Sequence, residues 1–362
     1  MAVATEANPI EDLVGRLFIE GVGSMHVLTV YLGVKLGLWR ALTEGGPQTV
    51  AQLADATSLD PWYVHEWLQA ETIAGLVTAD GDDLWTAKFA AAEGIGEVLV
   101  EETSPAYLGG LALCCSVVGG VLPSLVDAFR TGAGVPYEAY GPEAVEAQAA
   151  FNRPAYVHDL AANWIGSDPE LVARLNDDKN PARVADVGCG VGWAAIELAK
   201  AFPHARIDGL DADEESISQA RRNAADHGVA DRVTFEVVDA SSEGSNDTKY
   251  DLILFLECVH DMGRPVEALA AARKSLADGG TVIVMDERTG ETIQVGDPTE
   301  QFFASASVLW CLPQSRVVPD CEAPGTVMRP ATFEAIAKRA GWSGVEILDI
   351  EHDFFRFYCL QP

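Results

Sequence analysis

Residues 182–192, ARVADVGCGVG, decide the fold. Alternating apolar positions lead into Asp186, and Gly188, Gly190 and Gly192 then fall at every second residue. A helical pattern, WAAIELAKAF, follows at once over 193–202. The stretch reads as a buried strand, a tight glycine turn and the start of a helix. In an open α/β sheet this is where a nucleoside-bearing ligand binds, at the carboxyl ends of the strands. Glycine supplies positive φ and lets the backbone approach the ligand.

Outward from this turn, strand and helix patterns alternate. ARIDGLDAD (205–213) is a second strand ending at Asp211, and SISQARRNAADHG (216–228) is its helix. RVTFEVVDA (232–240) is a third strand ending at Asp239, and YDLILFLECV (250–259) is a fourth. PVEALAAARKSLADGG (265–280) reads as a helix closed by glycines, and TVIVMDE (281–287) as the fifth strand. After an excursion over 288–330, with a helix expected at PTEQFFASASVLWCL (298–312), come a helix at 331–342 and two strands, VEILDIE and FFRFYCLQ. This predicts an α/β, Rossmann-like, mainly parallel seven-stranded sheet covered on both faces, with an antiparallel last pair.

The glycine spacing separates two kinds of nucleotide site. A dinucleotide fingerprint needs glycine at its first, third and sixth positions. Counted from Gly188, the sixth position is Trp193. Three acids follow instead. Asp211, about twenty residues on, can accept both ribose hydroxyls. Asp239, with Ala240, closes the third strand where an adenine amino group can donate. Leu256 and Glu257 end the fourth. A ligand with ribose, adenine and a cationic group, and no pyrophosphate, suits this concentration of acid.

The chain has 362 residues, enough for two domains, and a formal net charge of -31. So acidic a surface repels a phosphate backbone, so nucleic acid is not expected as a partner. Seven cysteines, at 114, 115, 189, 258, 311, 321 and 359, form neither a CxxC pair nor a zinc spacing. That pattern points to a reducing, cytoplasmic setting and to no metal site. The first residues, MAVATEANPIEDL, lack the basic and apolar regions of a signal peptide. Residues 103–126 carry no charge and could span a membrane by length. Four glycines and Pro123 interrupt them, and buried helices rather than a membrane span are expected.

The first domain, 1–165, is read as mostly helical. Thr49 and Asp60 are expected N-caps, the second followed by Pro61. VTADGDDLWTAKFA (77–90) reads as a hairpin. Helix, turn, helix and hairpin give a winged-helix order. Residues 1–100 hold four basic residues against fourteen acids, so DNA binding is disfavoured and a dimerisation module is expected. Residues 127–165 are rich in aromatics, and the polar stretch 166–181 opens the second domain, 166–362.

GVKLGLWRALTEGGPQTVAQLA and LQAETIAGLV resemble the first domain of small-molecule O-methyltransferases. VADVGCGVG, IDGLDAD, FEVVDA and LADGGTVIV resemble the class I methyltransferase fold. The resemblance implies S-adenosylmethionine as methyl donor, a small-molecule acceptor and a homodimer. It places the methionine part at Asp186, Gly188 and Gly190, beside Gly192. It places the ribose at Asp211, beside Ala212, and the adenine at Asp239 and Ala240. In FLECVHDMG it implies His260 as the base that deprotonates a hydroxyl acceptor. Asp286, which ends the fifth strand, is read as the residue that orients it. The resemblance is incomplete, because Met262 stands where a tryptophan often follows the His-Asp pair, and Thr326, Val327 and Met328 where a second acid is usual. Without a base, N- or S-methylation remains open, as does a cofactor-sensing winged-helix regulator. Tyr140, Tyr156, His158 and Trp310 are the expected acceptor-site residues, drawn from the helices that would wall the cleft.

Overall fold

The computed structural model describes residues 8–242 and 248–362. Residues 1–7, part of the stretch read for a signal peptide, lie outside them. The chain forms two compact units that divide between Val117 and Val118.

The first unit opens with α1 (Pro9–Lys35), one continuous helix of 27 residues through Gly21 and Gly23. Asn8 caps it by accepting from the Ile10 N–H at 3.1 Å. α2 (Leu38–Gly45), α3 (Val50–Thr57) and α4 (Pro61–Ile73) follow. Thr49 forms a reciprocal capping box with Gln52, and Asp60 accepts from the Trp62 N–H at 2.9 Å, so both expected caps are present. β1 (Val77–Ala79) pairs antiparallel with β2 (Phe89–Ala91). Leu38, Trp39, Leu42, Leu53, Leu68 and Phe89 fill the core between these elements. α5 (Ile95–Leu99) leads to α6 (Gly109–Thr131), which holds Pro123 and carries the division between the units. Among the described residues, α1 and α6 are long and apolar enough to cross a membrane by length and composition.

The second unit begins with a 3-10 turn at Tyr137–Tyr140 and α7 (Glu143–Ala155), which widens into a π-helix at Tyr156–Trp164. α8 (Pro169–Leu175) lies in the polar stretch 166–181 and buries Leu171 and Leu175 in the same core as Val184. Then come β3 (Arg183–Val187), α9 (Trp193–Ala201), β4 (Arg206–Asp211), α10 (Glu214–Asp226), β5 (Val233–Val237), β6 (Tyr250–Leu256) and α11 (Pro265–Ser275). β7 (Leu276–Glu287) starts five residues before the expected strand. LADGG is therefore extended chain, not helix end. A register shift between Tyr250 and Leu252 absorbs it, and Gly279 takes a φ of 77°. α12 (Pro298–Ala306), a π-turn at Ser307–Cys311, α13 (Leu312–Ser315), α14 (Pro330–Arg339), β8 (Gly344–Ile347) and β9 (Phe355–Gln361) complete the unit.

The seven strands run in the order β5-β4-β3-β6-β7-β9-β8. β9 is antiparallel to both β7 and β8, and the other pairs are parallel. Alternate residues feed two cores. Val184, Leu252, Leu254, Ile283 and Met285 join one, and Ala185, Ile253, Phe255, Val282 and Val284 the other. β3 is thus buried on both faces, as a central parallel strand must be. The strand order reverses between β3 and β6, which makes the carboxyl ends of β3, β4 and β6 the expected ligand crevice.

Candidate active site

A cavity of about 710 Å³ opens at those strand ends, wholly within the second unit. The turn after β3 supplies Gly188, Cys189, Gly190 and Val191 to its wall. The three glycines have φ of 72°, 51° and 82° at 188, 190 and 192, all in the left-handed region. They differ in what surrounds them. A Cβ on Gly188 would meet Cys258 at 2.8 Å and one on Gly192 would meet Phe235 at 2.5 Å, whereas Gly190 faces open space. Gly188 and Gly192 therefore serve packing as well as turn geometry. Asn223 on α10 steadies the turn by donating to the Val191 carbonyl at 2.9 Å.

Eight of the ten residues expected to hold the donor line the cavity: Gly188, Gly190, Asp211, Ala212, Asp239, Ala240, Leu256 and Glu257. Asp186 and Gly192 are not among the residues that line it. Asp186 is buried. Its carboxyl is pushed up to about 7 by burial, against the Ala195 N–H that stabilises its charge, with Asp211 raising it further. It ties the turn to the first turn of α9. Asp211 accepts from the Gly190 N–H at 2.8 Å and the Asp213 N–H at 2.9 Å, and burial raises its carboxyl. Asp239 accepts from the Ser241 N–H and hydroxyl at 2.8 and 2.7 Å. Glu257 has a φ of 58°, a strained value for a side chain with a Cβ. Among the described residues its Oε2 has no hydrogen-bond partner, and burial pushes its carboxyl up to about 8, with His260 acting in the opposite sense.

The acceptor-side expectations fare differently. Tyr156 lines the cavity, but Tyr140, His158 and Trp310 do not. Tyr140 donates to the Leu309 carbonyl at 2.9 Å and its ring lies 5.1 Å from Trp310, so the pair braces the wall from behind. His158 is exposed. Val145, Gln148, Ala149 and Asn152, none of them expected from the sequence, line the cavity with Tyr156 from α7 and the π-helix. Their spacing repeats at three and four residues, a helical stripe legible in the sequence.

His260 follows β6 in a 3-10 turn, Val259–Asp261. It is 2% exposed and is not among the cavity-lining residues, although Asp261 is. Its Nδ1 lies 2.9 Å from Asp286 Oδ1 and 3.0 Å from Glu287 Oε2, and its Nε2 lies 3.3 Å from Asp261 Oδ1. Burial alone would lower its pKa. The charges of Asp286, Glu287 and Asp261 outweigh burial and hold the imidazole well above its ordinary value. His260 in return keeps the Asp286 carboxyl low against its burial, while burial raises Glu287. The expected Asp286 contact is thus present, but the ring is enclosed by carboxylates.

Sheet order and strand-end acids together define the class I S-adenosylmethionine-dependent methyltransferase fold, here with an N-terminal winged-helix region. Residues 178–315 match the family model described as a methyltransferase domain, and 24–91 match the Rv2258c-like winged HTH domain. Among curated proteins the chain is similar to malonyl-acyl-carrier-protein O-methyltransferase of Halalkalibacterium halodurans, with 24% identity over 139 residues, 37% of this chain and 51% of that protein. The chain thus spans about half the length of that relative. Two solved structures share the fold over nearly the whole chain. A putative O-methyltransferase from Nostoc punctiforme has a TM-score of 0.70 and 18% identity, covering 99% of this chain and 100% of that one. Human N-acetylserotonin methyltransferase, solved with its donor, has a TM-score of 0.69 and 16% identity, covering 100% of this chain and 99% of that one. S-adenosylmethionine is the cofactor that goes with this fold. The residues present suit it, since an unpartnered Glu257 oxygen and the Asp211 carboxylate both stand on the cavity wall.

Proposed function

We propose that this chain transfers a methyl group from S-adenosylmethionine to a small molecule, with a hydroxyl oxygen as the favoured acceptor. The observation that carries the reading is the single cavity wall on which Gly188, Gly190, Asp211, Asp239 and Glu257 converge beside the helical stripe of α7. When bound, the donor supplies the methyl group on a sulfonium, already a good leaving group. The chain's own work is positioning. Asp211 binds hydroxyls, acids favour the cationic parts, and Asn152, Gln148 and Tyr156 orient the acceptor.

For an oxygen acceptor, His260 is the proposed proton acceptor, held in orientation by Asp286 through Nδ1. A second reading, N- or S-methylation by positioning alone, is favoured by the burial of His260 and by the carboxylates that keep it protonated. Equilibrium binding of labelled donor, followed by an acceptor panel of phenols, amines and thiols, tests the proposal. No saturable donor binding would remove it.

A second copy of this chain is the proposed partner. α1 exposes Ile10, Phe18, Ile19 and Met25 at 72%, 68%, 68% and 70%, an apolar surface that calls for cover. Light scattering on the purified protein decides between dimer and monomer. A cytoplasmic location is proposed, in keeping with seven free cysteines. Nucleic acid is not a proposed partner. DNA retention by the purified protein at low salt would instead support a winged-helix regulator.

A further inference from the structure

Five acids line the cavity, Asp211, Asp213, Asp239, Glu257 and Asp261, and one basic residue joins them, Arg264. Arg264 stands just before α11, and its side chain is exposed. The chain holds 55 Asp and Glu against 24 Lys and Arg. Even so, among the described residues no carboxylate pairs with Arg264, and its side chain makes no capping hydrogen bond to α11. Asp261, close by in the sequence, lies 3.3 Å from His260 Nε2 instead.

A second donor lines the same cavity. Gln314, in α13, has a buried Nε2 with no hydrogen-bond partner among the described residues. A buried N–H without an acceptor is costly, and a ligand oxygen relieves it. The segments that carry the two donors are stitched together. Ser315 Oγ donates to the Asp261 carbonyl at 2.7 Å, and the Glu322 N–H donates to the Gly263 carbonyl at 2.8 Å. A Cβ on Gly263 would meet the Val318 side chain at 2.6 Å, so glycine lets the two segments lie this close. Arg264 and Gln314 thus flank one seam, where the 288–330 excursion meets the turn after β6.

We propose that Arg264 and Gln314 form an acceptor subsite for a carboxylate, so that the methyl acceptor is a hydroxy acid. This rests on the methyl-transfer reading. A guanidinium offers a carboxylate two parallel N–H donors, and the Gln314 amide adds a third. The carboxylate is an anchor and not the attacking atom, because lone pairs held by the guanidinium are withdrawn from attack. The acid lining decides the kind of anion. A phosphate monoester carries about −1.5 to −2 at neutral pH, and five acids repel it nearly twice as strongly as a carboxylate.

The test begins with equilibrium binding of labelled donor to the full chain. Absence of donor binding would overturn the methyl-transfer reading and this subsite with it. Next, with S-adenosylhomocysteine saturating the donor site, a panel of hydroxybenzoates is titrated by calorimetry. Each is matched with its carboxamide and with the analogue bearing phosphate in place of the carboxylate. A hydroxybenzoate that binds more tightly than both is expected. R264A should weaken it about 10–100-fold and leave the carboxamide and the donor unchanged, which also shows that the variant folds. R264K should restore part of the loss, since lysine keeps the charge without the fork. Q314L should cost several-fold. Donor binding with no preference for carboxylate over carboxamide would overturn the subsite alone, and so would a preference for phosphate. Loss of donor affinity in R264A, with the carboxylate preference intact, would assign Arg264 to the donor's own carboxylate and overturn the proposal.

Discussion

Two sets of acids lie at the carboxyl ends of one sheet, and they do different things. Asp211, Asp239 and Glu257 stand on the cavity wall, and the first two accept from backbone or hydroxyl donors. Asp286 and Glu287 converge on one imidazole behind that wall. The difference is access to the cavity. A strand-end carboxylate at a cavity keeps capacity for a ligand, whereas one sealed in the protein must find a cation within it. The first set suits recognition of the donor, and the second controls the charge state of His260.

Four tests can break or sharpen that contrast. H260A should lower turnover with a hydroxyl acceptor about 10²–10⁴-fold if the ring takes the proton, and should leave donor affinity intact. Near-normal turnover would assign His260 to structure. D211A should weaken donor binding about 100-fold or more, since hydrogen bonds to a charged group contribute ~1.5–3 kcal/mol each. Calorimetry reads this directly, and an unchanged affinity would detach Asp211 from the ribose.

The third concerns stability. Burial raises the folded-state pKa of Asp186 from 3.8 to about 7, so folding favours its protonated form. Its contribution is fully present below the unfolded value and is lost as pH rises towards 7. In donor-free protein, D186N should therefore gain roughly 2–3 kcal/mol on the unsubstituted chain between pH 5 and 8. Parallel unfolding curves at the two pH values would refute it. Last, G188A should destabilise more than G190A, because only the former meets a neighbour, Cys258 at 2.8 Å. Both lose about 1–2 kcal/mol to positive φ, and thermal melts resolve the remainder.

Much of the sheet was legible because its signals are local. The glycine turn, the acids at 211 and 239, and the caps at Thr49 and Asp60 each depend on a few consecutive residues. Tyr140 and Trp310 were not legible as a bracing pair. They are 170 residues apart, and only packing brings the Tyr140 hydroxyl to that backbone. LADGG reads as a helix end in the sequence because an Asp-Gly-Gly run closes a helix and bulges a strand equally well. Gln148 and Asn152 carry a signal, because their stripe repeats at helical spacing, but the same spacing serves a core-facing helix equally well. Nothing in FLECVHDMG announces that Glu287 and Cys311 will crowd His260. That depends on where β7 stops and on the π-turn after α12.

The position of β9 has a consequence for assembly. It lies between β7 and β8, so β8 reaches the sheet only through a strand that follows it in the chain. The pairing of Ile283 with Cys359 closes a long loop that includes the whole 288–330 excursion. Such a non-local pairing carries the entropy of loop closure before contacts reward it, and slows folding. Until β9 docks, β7 presents an unpaired apolar edge beside a finished crevice, and that edge is where the newly made chain is most open to association with its neighbours.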